Sequence, residues 1–175
     1  MADLLTLHPS RFFSALVPVA SGMLLTTLVN FPLSLTGGLL PAPVLALSAV
    51  YFWTLVRPDL MPPFGVLVIG LLEDLLSGGP PGLWAAGFIA AYALTDRQRD
   101  LLAGLPGPAA LLGFAAAMLL AAATAYALTL VVYLRPPALA PLLLSCVVTV
   151  MFHPLVVWPL GWFHRRVVGA MRGEP

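Results

Sequence analysis

Long apolar segments, separated by short connectors rich in Pro, Gly and Arg, occupy nearly the whole of this chain. Of its 175 residues, 61% are hydrophobic and 9% are charged, whereas an ordinary soluble domain has roughly 25% charged residues. The mean hydropathy is +1.01. We therefore expect an all-α integral membrane protein in which these residues form no soluble catalytic domain.

Six of the apolar segments are candidates for membrane-spanning helices. A helix of about 20 residues crosses the ~30 Å hydrocarbon core, and a shorter one needs a thinner membrane or a cover of protein. The Pro and Gly residues between Gly78 and Gly82 favour a turn joining two short helices over one long helix. The sequence predicts one six-helix domain over residues 1–175, with spans at about 12–30, 41–56, 63–76, 83–94, 108–133 and 138–163.

The basic residues predict how these spans are oriented. All eight are Arg, and the cytoplasmic loops of membrane proteins carry an excess of Arg and Lys. Six spans with the N-terminus inside leave only Arg135 on the periplasmic side, whereas five spans would place five of the eight Arg outside. Both termini are therefore predicted to be cytoplasmic. The net charge of +1 and the scattered Arg residues argue against nucleic acid as a partner.

The fifth predicted span carries small residues at every fourth position. Such a ridge lets two helix backbones approach closely in a membrane, where no hydrophobic effect drives helices together. We expect it to be a packing seam, although the sequence does not show whether its partner helix belongs to this chain. The ridge consists of Ala109, Gly113, Ala117, Ala121 and Ala125, and it continues to Thr129.

Two adjacent carboxylates, Glu73 and Asp74, lie at the end of the third predicted span, just before the Gly/Pro turn. Ionisable groups at membrane depth are costly and call for a reason. On a helix the two side chains point about 100° apart, so they cannot form a facing acid and base pair. Three roles remain open: Asp74 accepting hydrogen bonds from amides of the Ser77–Gly79 turn, contact with a partner or ligand, and proton or ion coupling.

Glu73 is predicted to be the freer of the two acids. Asp74 is expected to fix the turn between Gly78 and Gly82, which leaves Glu73 available to a partner protein or to Arg135. Arg135 is the basic residue assigned to the same side of the membrane.

Other reactive side chains form no recognisable catalytic or metal-binding set. The three His residues have no metal-ligand spacing, and Cys146 lies in an apolar run where a structural role is expected. Ser21 and His153 are the residue types used by intramembrane serine proteases, but the surrounding sequence does not fit that family. No metal or other cofactor is predicted, and the chain is not expected to be an enzyme.

The segment around the acids resembles the rod shape-determining membrane protein family MreD. The resemblance rests on Arg57-Pro58-Asp59, on the pattern G-L-L-x-D-L-L-S-G-x-P-x-G over residues 70–82, on Tyr92-Ala93-Leu94 and on Arg97-Gln98-Arg99. Pro81 and Glu73 depart from the usual family pattern. The resemblance implies that the structural or partner-binding motif consists of Glu73, Asp74, Gly78, Gly79, Pro80 and Gly82.

What the resemblance implies is a non-enzymatic scaffold in the bacterial inner membrane. MreD-like proteins bind MreC and support side-wall peptidoglycan synthesis and rod cell shape. Their neighbours are RodA, its class B penicillin-binding transpeptidase, MreB filaments on the cytoplasmic side, and membrane lipids. Their six-helix layout is also similar to the substrate-binding subunits of energy-coupling-factor transporters, so a small-molecule-binding subunit is the alternative.

Overall fold

The computed structural model describes residues 9–30, 42–134 and 136–168. All regular secondary structure in these ranges is helical. Seven α-helices follow one another: α1 Pro9–Asn30, α2 Leu45–Val56, α3 Pro63–Leu76, α4 Leu83–Arg97, α5 Arg99–Ala103, α6 Gly107–Tyr133 and α7 Leu139–Phe163. A short 3-10 turn at Pro58–Leu60 precedes α3, and a π-helical turn at His164–Val168 follows α7.

The helices begin and end where local chemistry favours it. Pro63 and Pro108 lie at the first positions of α3 and α6, where a missing N–H costs nothing. Within the predicted second span, 41–56, the helix begins at Leu45, and residues 42–44 are not helical. The fourth helix continues to Arg97, three residues beyond the predicted span.

Helix α2 lies at the centre of the bundle. Every residue from Ala46 to Thr54 is buried, as expected of a helix that is apolar on all sides. Around it, α1 packs on α3, α3 on α4, α4 on α6, and α6 on α7. Helices α1 and α7 both pack on α2 but hardly touch each other. The outer helices therefore form a ring with one open side, between α1 and α7.

The non-helical residues before α2 are bonded to α7. The Val44 amide donates to Thr149 Oγ1 at 2.9 Å, and Ser145 Oγ donates to the Ala42 carbonyl at 2.9 Å. Buried backbone polar groups outside a helix need partners elsewhere in the protein. These two bonds anchor the entry of the central helix.

Length and composition make two of the described helices candidates for crossing a membrane. They are Gly107–Val132 and Leu139–Arg166, each with a mean hydropathy of 2.1. The described part of the chain is thus all-helical, with two candidate membrane spans. Helices α2 and α3, with 12 and 14 residues, are too short to cross ~30 Å by themselves.

Candidate functional site

The carboxylate of Asp74, near the end of α3, joins α3 to the first turn of α4. It is fully buried. Its Oδ2 accepts hydrogen bonds from the amides of Gly82 at 2.7 Å and Ala85 at 3.2 Å, and its Oδ1 accepts one from the amide of Trp84 at 2.8 Å. The first amides of a helix lack partners within the helix and carry a partial positive charge. Asp74 therefore caps α4 from another helix.

The turn that carries α4 back to Asp74 depends on two glycines. Gly78 has φ +70° and Gly82 has φ +102°, backbone conformations that residues with a Cβ rarely adopt. The Gly79 amide also donates to the Asp74 backbone carbonyl at 3.1 Å, which closes the end of α3 in the usual glycine-terminated manner. Pro80 and the exposed Pro81 complete the connection.

These contacts correct one detail of the sequence-based hypothesis. Asp74 does bond backbone amides, but its side chain reaches those of Gly82, Trp84 and Ala85 rather than those of Ser77–Gly79. The physical reason is that the start of α4 offers several convergent unpaired amides. The amides of Ser77 and Gly79 instead bond to the backbone carbonyls of Glu73 and Asp74.

The neighbouring carboxylate, Glu73, points to a different helix. It is 3% exposed, and its Oε1 accepts a hydrogen bond from Asn30 Nδ2 at 3.2 Å. The same Asn30 amide group donates to the Thr26 carbonyl at 3.0 Å. The hydroxyl of Thr26, one turn earlier on α1, is buried beside the Glu73 carboxyl. Glu73 therefore joins α3 to α1.

Glu73 is the freer of the two acids in that it accepts one side-chain hydrogen bond and Asp74 three, but the prediction that its carboxyl is open to a partner is wrong. Its carboxyl is enclosed between α1 and α3 and has a donor there. That donor is Asn30, near the end of α1. The predicted partner of Glu73, Arg135, lies outside the described residues, so the proposed ion pair stays a prediction.

The small-residue ridge of α6 faces the interior. Ala117, Ala121 and Ala125 are buried. A Cβ added to Gly87 of α4 would lie 2.7 Å from the carbonyl oxygen of Ala121, so the two backbones are nearly in contact. The partner helix that the sequence left open is α4 of the same chain. Gly113 of the ridge faces the hydroxyl of Tyr51 on α2, and Ala109 at the start of α6 is half-buried.

A similar close approach joins α3 to α4. A Cβ added to Gly70 would overlap the backbone of Ala85. Gly70 is the first residue of the motif pattern, but the sequence does not predict this packing role, because a single glycine in an apolar helix gives no local signal of what it faces.

Ser21 and His153, the residue types used by intramembrane serine proteases, each contact different parts of the protein. Ser21 Oγ donates to the Pro18 carbonyl at 2.7 Å and accepts from Trp53 Nε1 at 2.9 Å. The ring of His153 stacks on Phe114, with centroids 3.7 Å apart. Across residues 9–30, 42–134 and 136–168, no three His, Cys, Asp or Glu side chains are grouped as a metal site would require.

No protein-family model matches the chain, and neither the curated proteins nor the solved structures contain a significant match. The geometry of the motif therefore stands as the basis for any functional assignment.

Proposed function

We propose that this chain is a non-enzymatic scaffold of the bacterial elongation machinery, similar to MreD. The observation that carries the proposal is the use made of the motif acids. Asp74 accepts from three amides at the N-terminal end of α4, those of Gly82, Trp84 and Ala85, and Glu73 accepts from Asn30 of α1. Both acids hold helices together, which suits a protein that presents a fixed helical surface to partners.

Six membrane spans with cytoplasmic termini are part of this proposal. The Arg distribution favours them. The short helix α2 is enclosed by other helices, and the non-helical residues before it are bonded to α7. A helix that is enclosed by protein does not face lipid, so it need not be long enough to cross the hydrocarbon core by itself. The six spans would be α1, α2, α3, α4, α6 and α7.

A thiol-labelling experiment tests this topology. Single Cys residues are placed at Gly79 and at Gln98, both exposed, in a Cys146→Ser background. An impermeant thiol reagent applied to intact cells with a permeable outer membrane is expected to label the Gly79 position. Labelling of the Gln98 position should require lysis of the inner membrane. Labelling of Gln98 in intact cells together with protection of Gly79 would contradict the six-span topology.

Affinity capture tests the function. The tagged chain is solubilised in mild detergent from a rod-shaped bacterium that depends on it for growth as a rod. We expect co-purification of MreC, RodA and the class B penicillin-binding transpeptidase, with an unrelated six-helix protein expressed at the same level as the control bait. The chain should also restore rod shape when the cell's own MreD is depleted. Recovery of transporter ATPase subunits, with round cells remaining, would favour the small-molecule-binding alternative.

The polar side chains of α1 do not favour that alternative. A ligand-binding subunit needs polar groups such as Asn or Arg directed into a cavity. Asn30 is instead engaged by Glu73 and by the Thr26 carbonyl.

A further inference from the structure

Glu73 and Asp74 are neighbours on α3, but their carboxylates face helix ends of opposite charge. Asp74 lies at the N-terminal end of α4 and accepts hydrogen bonds from three backbone amides there. Glu73 lies in the last turn of α3 and accepts from Asn30, at the C-terminal end of α1. The N-terminal end of a helix carries a partial positive charge and the C-terminal end a partial negative one. The surroundings of Asp74 therefore stabilise a carboxylate, whereas those of Glu73 favour a cation.

The carboxylate of Glu73 has no basic partner among the described residues. The ion pairs in that part of the chain are Arg57–Asp59 and Arg99–Asp100. The Glu73 side chain is 3% exposed, so water does little to screen its charge, and the hydrogen bond that it accepts comes from a neutral amide. A buried ionised carboxylate needs a positive charge close to it.

A hydroxyl beside this carboxylate also lacks a partner. The side chain of Thr26, on α1, is fully buried, and its hydroxyl makes no hydrogen bond of good geometry within the described ranges. This hydroxyl faces the Glu73 carboxyl. The next residue, Thr27, behaves as a helical Thr usually does, because its hydroxyl donates to the Met23 carbonyl at 2.8 Å. A buried hydroxyl without a partner is costly, so the oxygen of Thr26 is available to a ligand.

Oxygen atoms of Thr26, Asn30 and Glu73 converge at this point. Asn30 Nδ2 lies 3.2 Å from Glu73 Oε1 and 3.0 Å from the Thr26 carbonyl oxygen. If the Asn30 amide turns over, its Oδ1 takes nearly the place of Nδ2, next to both of these oxygens. The Thr26 hydroxyl and the second Glu73 oxygen complete the set. Carboxylate, carbonyl and hydroxyl oxygens are the ligands that hard cations prefer.

We propose that Glu73, Thr26 and Asn30 bind a sodium ion between the C-terminal ends of α1 and α3. The ion neutralises the carboxylate, coordinates the unpartnered hydroxyl oxygen and joins the two helices. Helix C-terminal ends and backbone carbonyls are a recognised setting for Na⁺ in membrane proteins. The proposal does not depend on the MreD-like role.

The charge of the site favours a monovalent ion over a divalent one. One carboxylate with neutral oxygens balances a single positive charge, whereas the affinity of a Ca²⁺ site increases with the number of charged ligands. Asp74 cannot supply the second charge, because its carboxylate oxygens are bonded to the amides of Gly82, Trp84 and Ala85.

Binding of radioactive sodium to the purified full-length protein in detergent tests the proposal. It is measured in choline chloride at constant ionic strength, and thermal unfolding is compared in NaCl, KCl and choline chloride. Glu73→Gln and Thr26→Val change the site with little change of side-chain shape. The matched controls are Asp100→Asn, which removes the same charge from a fully exposed acid, and Thr27→Val, which removes an exposed hydroxyl of α1.

We expect the wild type to bind one Na⁺ per chain and to prefer it over K⁺, which is too large for a compact set of oxygens. Saturating NaCl should raise the midpoint of thermal unfolding by at least about 3 °C over choline chloride, because the ion binds only the folded state. Glu73→Gln should abolish both effects and still fold in choline chloride. Thr26→Val should weaken Na⁺ binding roughly tenfold, whereas Asp100→Asn and Thr27→Val should bind Na⁺ as the wild type does.

Three results would overturn the proposal. The first is a wild type that binds no sodium and unfolds at the same temperature in NaCl and choline chloride, which would mean that a proton or another side chain neutralises Glu73. The second is an equal loss of sodium binding in Glu73→Gln and Asp100→Asn, which would indicate unspecific charge attraction. The third is unchanged sodium affinity in Thr26→Val, which would place the ion elsewhere.

Discussion

The two sides of the helical ring are built from different residues. Where α3, α4 and α6 meet, Gly70 packs against the backbone of Ala85, and Gly87 packs against the carbonyl of Ala121. On the other side, α1 and α7 face each other with larger side chains, such as Leu24 and Phe163, and leave a groove of about 370 Å³.

This difference is the one expected of helices that pack in a membrane. Lipid tails are as apolar as Leu, so helices gain little by burying large apolar side chains against each other. They gain from close packing where small residues allow it, and from polar groups bonded across helices. The α3–α4–α6 side has both features, because Asp74 caps α4 and small residues line the seam. The α1–α7 side has neither and remains open.

Among the substitutions that test this comparison, Asp74→Ala is expected to lower the free energy of unfolding most. It leaves the amides of Gly82, Trp84 and Ala85 without their acceptor. An unpaired buried amide costs about 1 to 3 kcal/mol, so the free energy of unfolding should fall by at least about 3 kcal/mol. Denaturant unfolding in detergent measures this loss, and hydrogen exchange of the amides in the first turn of α4 shows whether it arises there.

The matched control is Asp59→Ala, which removes a partly exposed acid that pairs with Arg57 at 3.0 Å. We expect it to cost no more than about 1 kcal/mol. If Asp74→Ala unfolds at the same denaturant concentration as the wild type, the cap does not stabilise the packed side.

The next largest effect should come from overfilling the seam with Ala117→Leu. Ala117 is 1% exposed, and inserting a larger side chain into a close-packed site costs about 1 to 3 kcal/mol. Thermal unfolding in detergent measures this cost. The control is Leu119→Ala on the outer face of α6, where the Leu side chain is 54% exposed. Equal resistance to heating in both variants would show that the ridge is incidental.

A smaller effect is expected at the bond between α1 and α3. Glu73→Ala should cost about 1 kcal/mol, less than Asp74→Ala, because Asn30 retains its bond to the Thr26 carbonyl. Asn30→Ala and the double variant complete a cycle that isolates the Glu73–Asn30 coupling. We expect a coupling of at least about 0.5 kcal/mol. Strict additivity of the two single variants would mean that the hydrogen bond contributes nothing.

The smallest effect is expected on the open side, for Leu24→Ala. This side chain is 59% exposed, so its removal should change the free energy of unfolding by less than about 0.5 kcal/mol in detergent. Val66→Ala on α3, at 0% exposure, serves as a buried comparison and should cost more. A loss above 2 kcal/mol for Leu24→Ala would show that the groove wall is a packed interface.

Much of the local structure follows from the sequence. Apolar runs bounded by Pro and Gly predict helices over 63–76 and 83–94, and α3 and α4 occupy these positions, with α4 continuing to Arg97. The prediction that Asp74 fixes the turn rests on its nearness to Gly78 and Gly82, because only eight residues separate its carboxylate from the Gly82 amide. Such short separations leave the chain few alternative geometries.

The role of Glu73 could not be predicted in the same way. Its partner, Asn30, lies 43 residues earlier in the chain, on a helix whose rotation and depth relative to α3 have no signature in the sequence. The same applies to Thr149, which accepts from the amide of Val44 across 105 residues. Both contacts depend on which helices become neighbours.

The sequence by itself determined the helical segments, the turn at residues 78–82 and the small-residue face of α6, because hydrophobic period, Gly and Pro act over a few residues. The tertiary structure decided that α2 lies at the centre, that Glu73 faces α1, and that α6 packs on α4. It also decided that α1 and α7 remain apart. These outcomes depend on fitting whole helix surfaces together, where the fit of many side chains and a few buried polar bonds selects one arrangement.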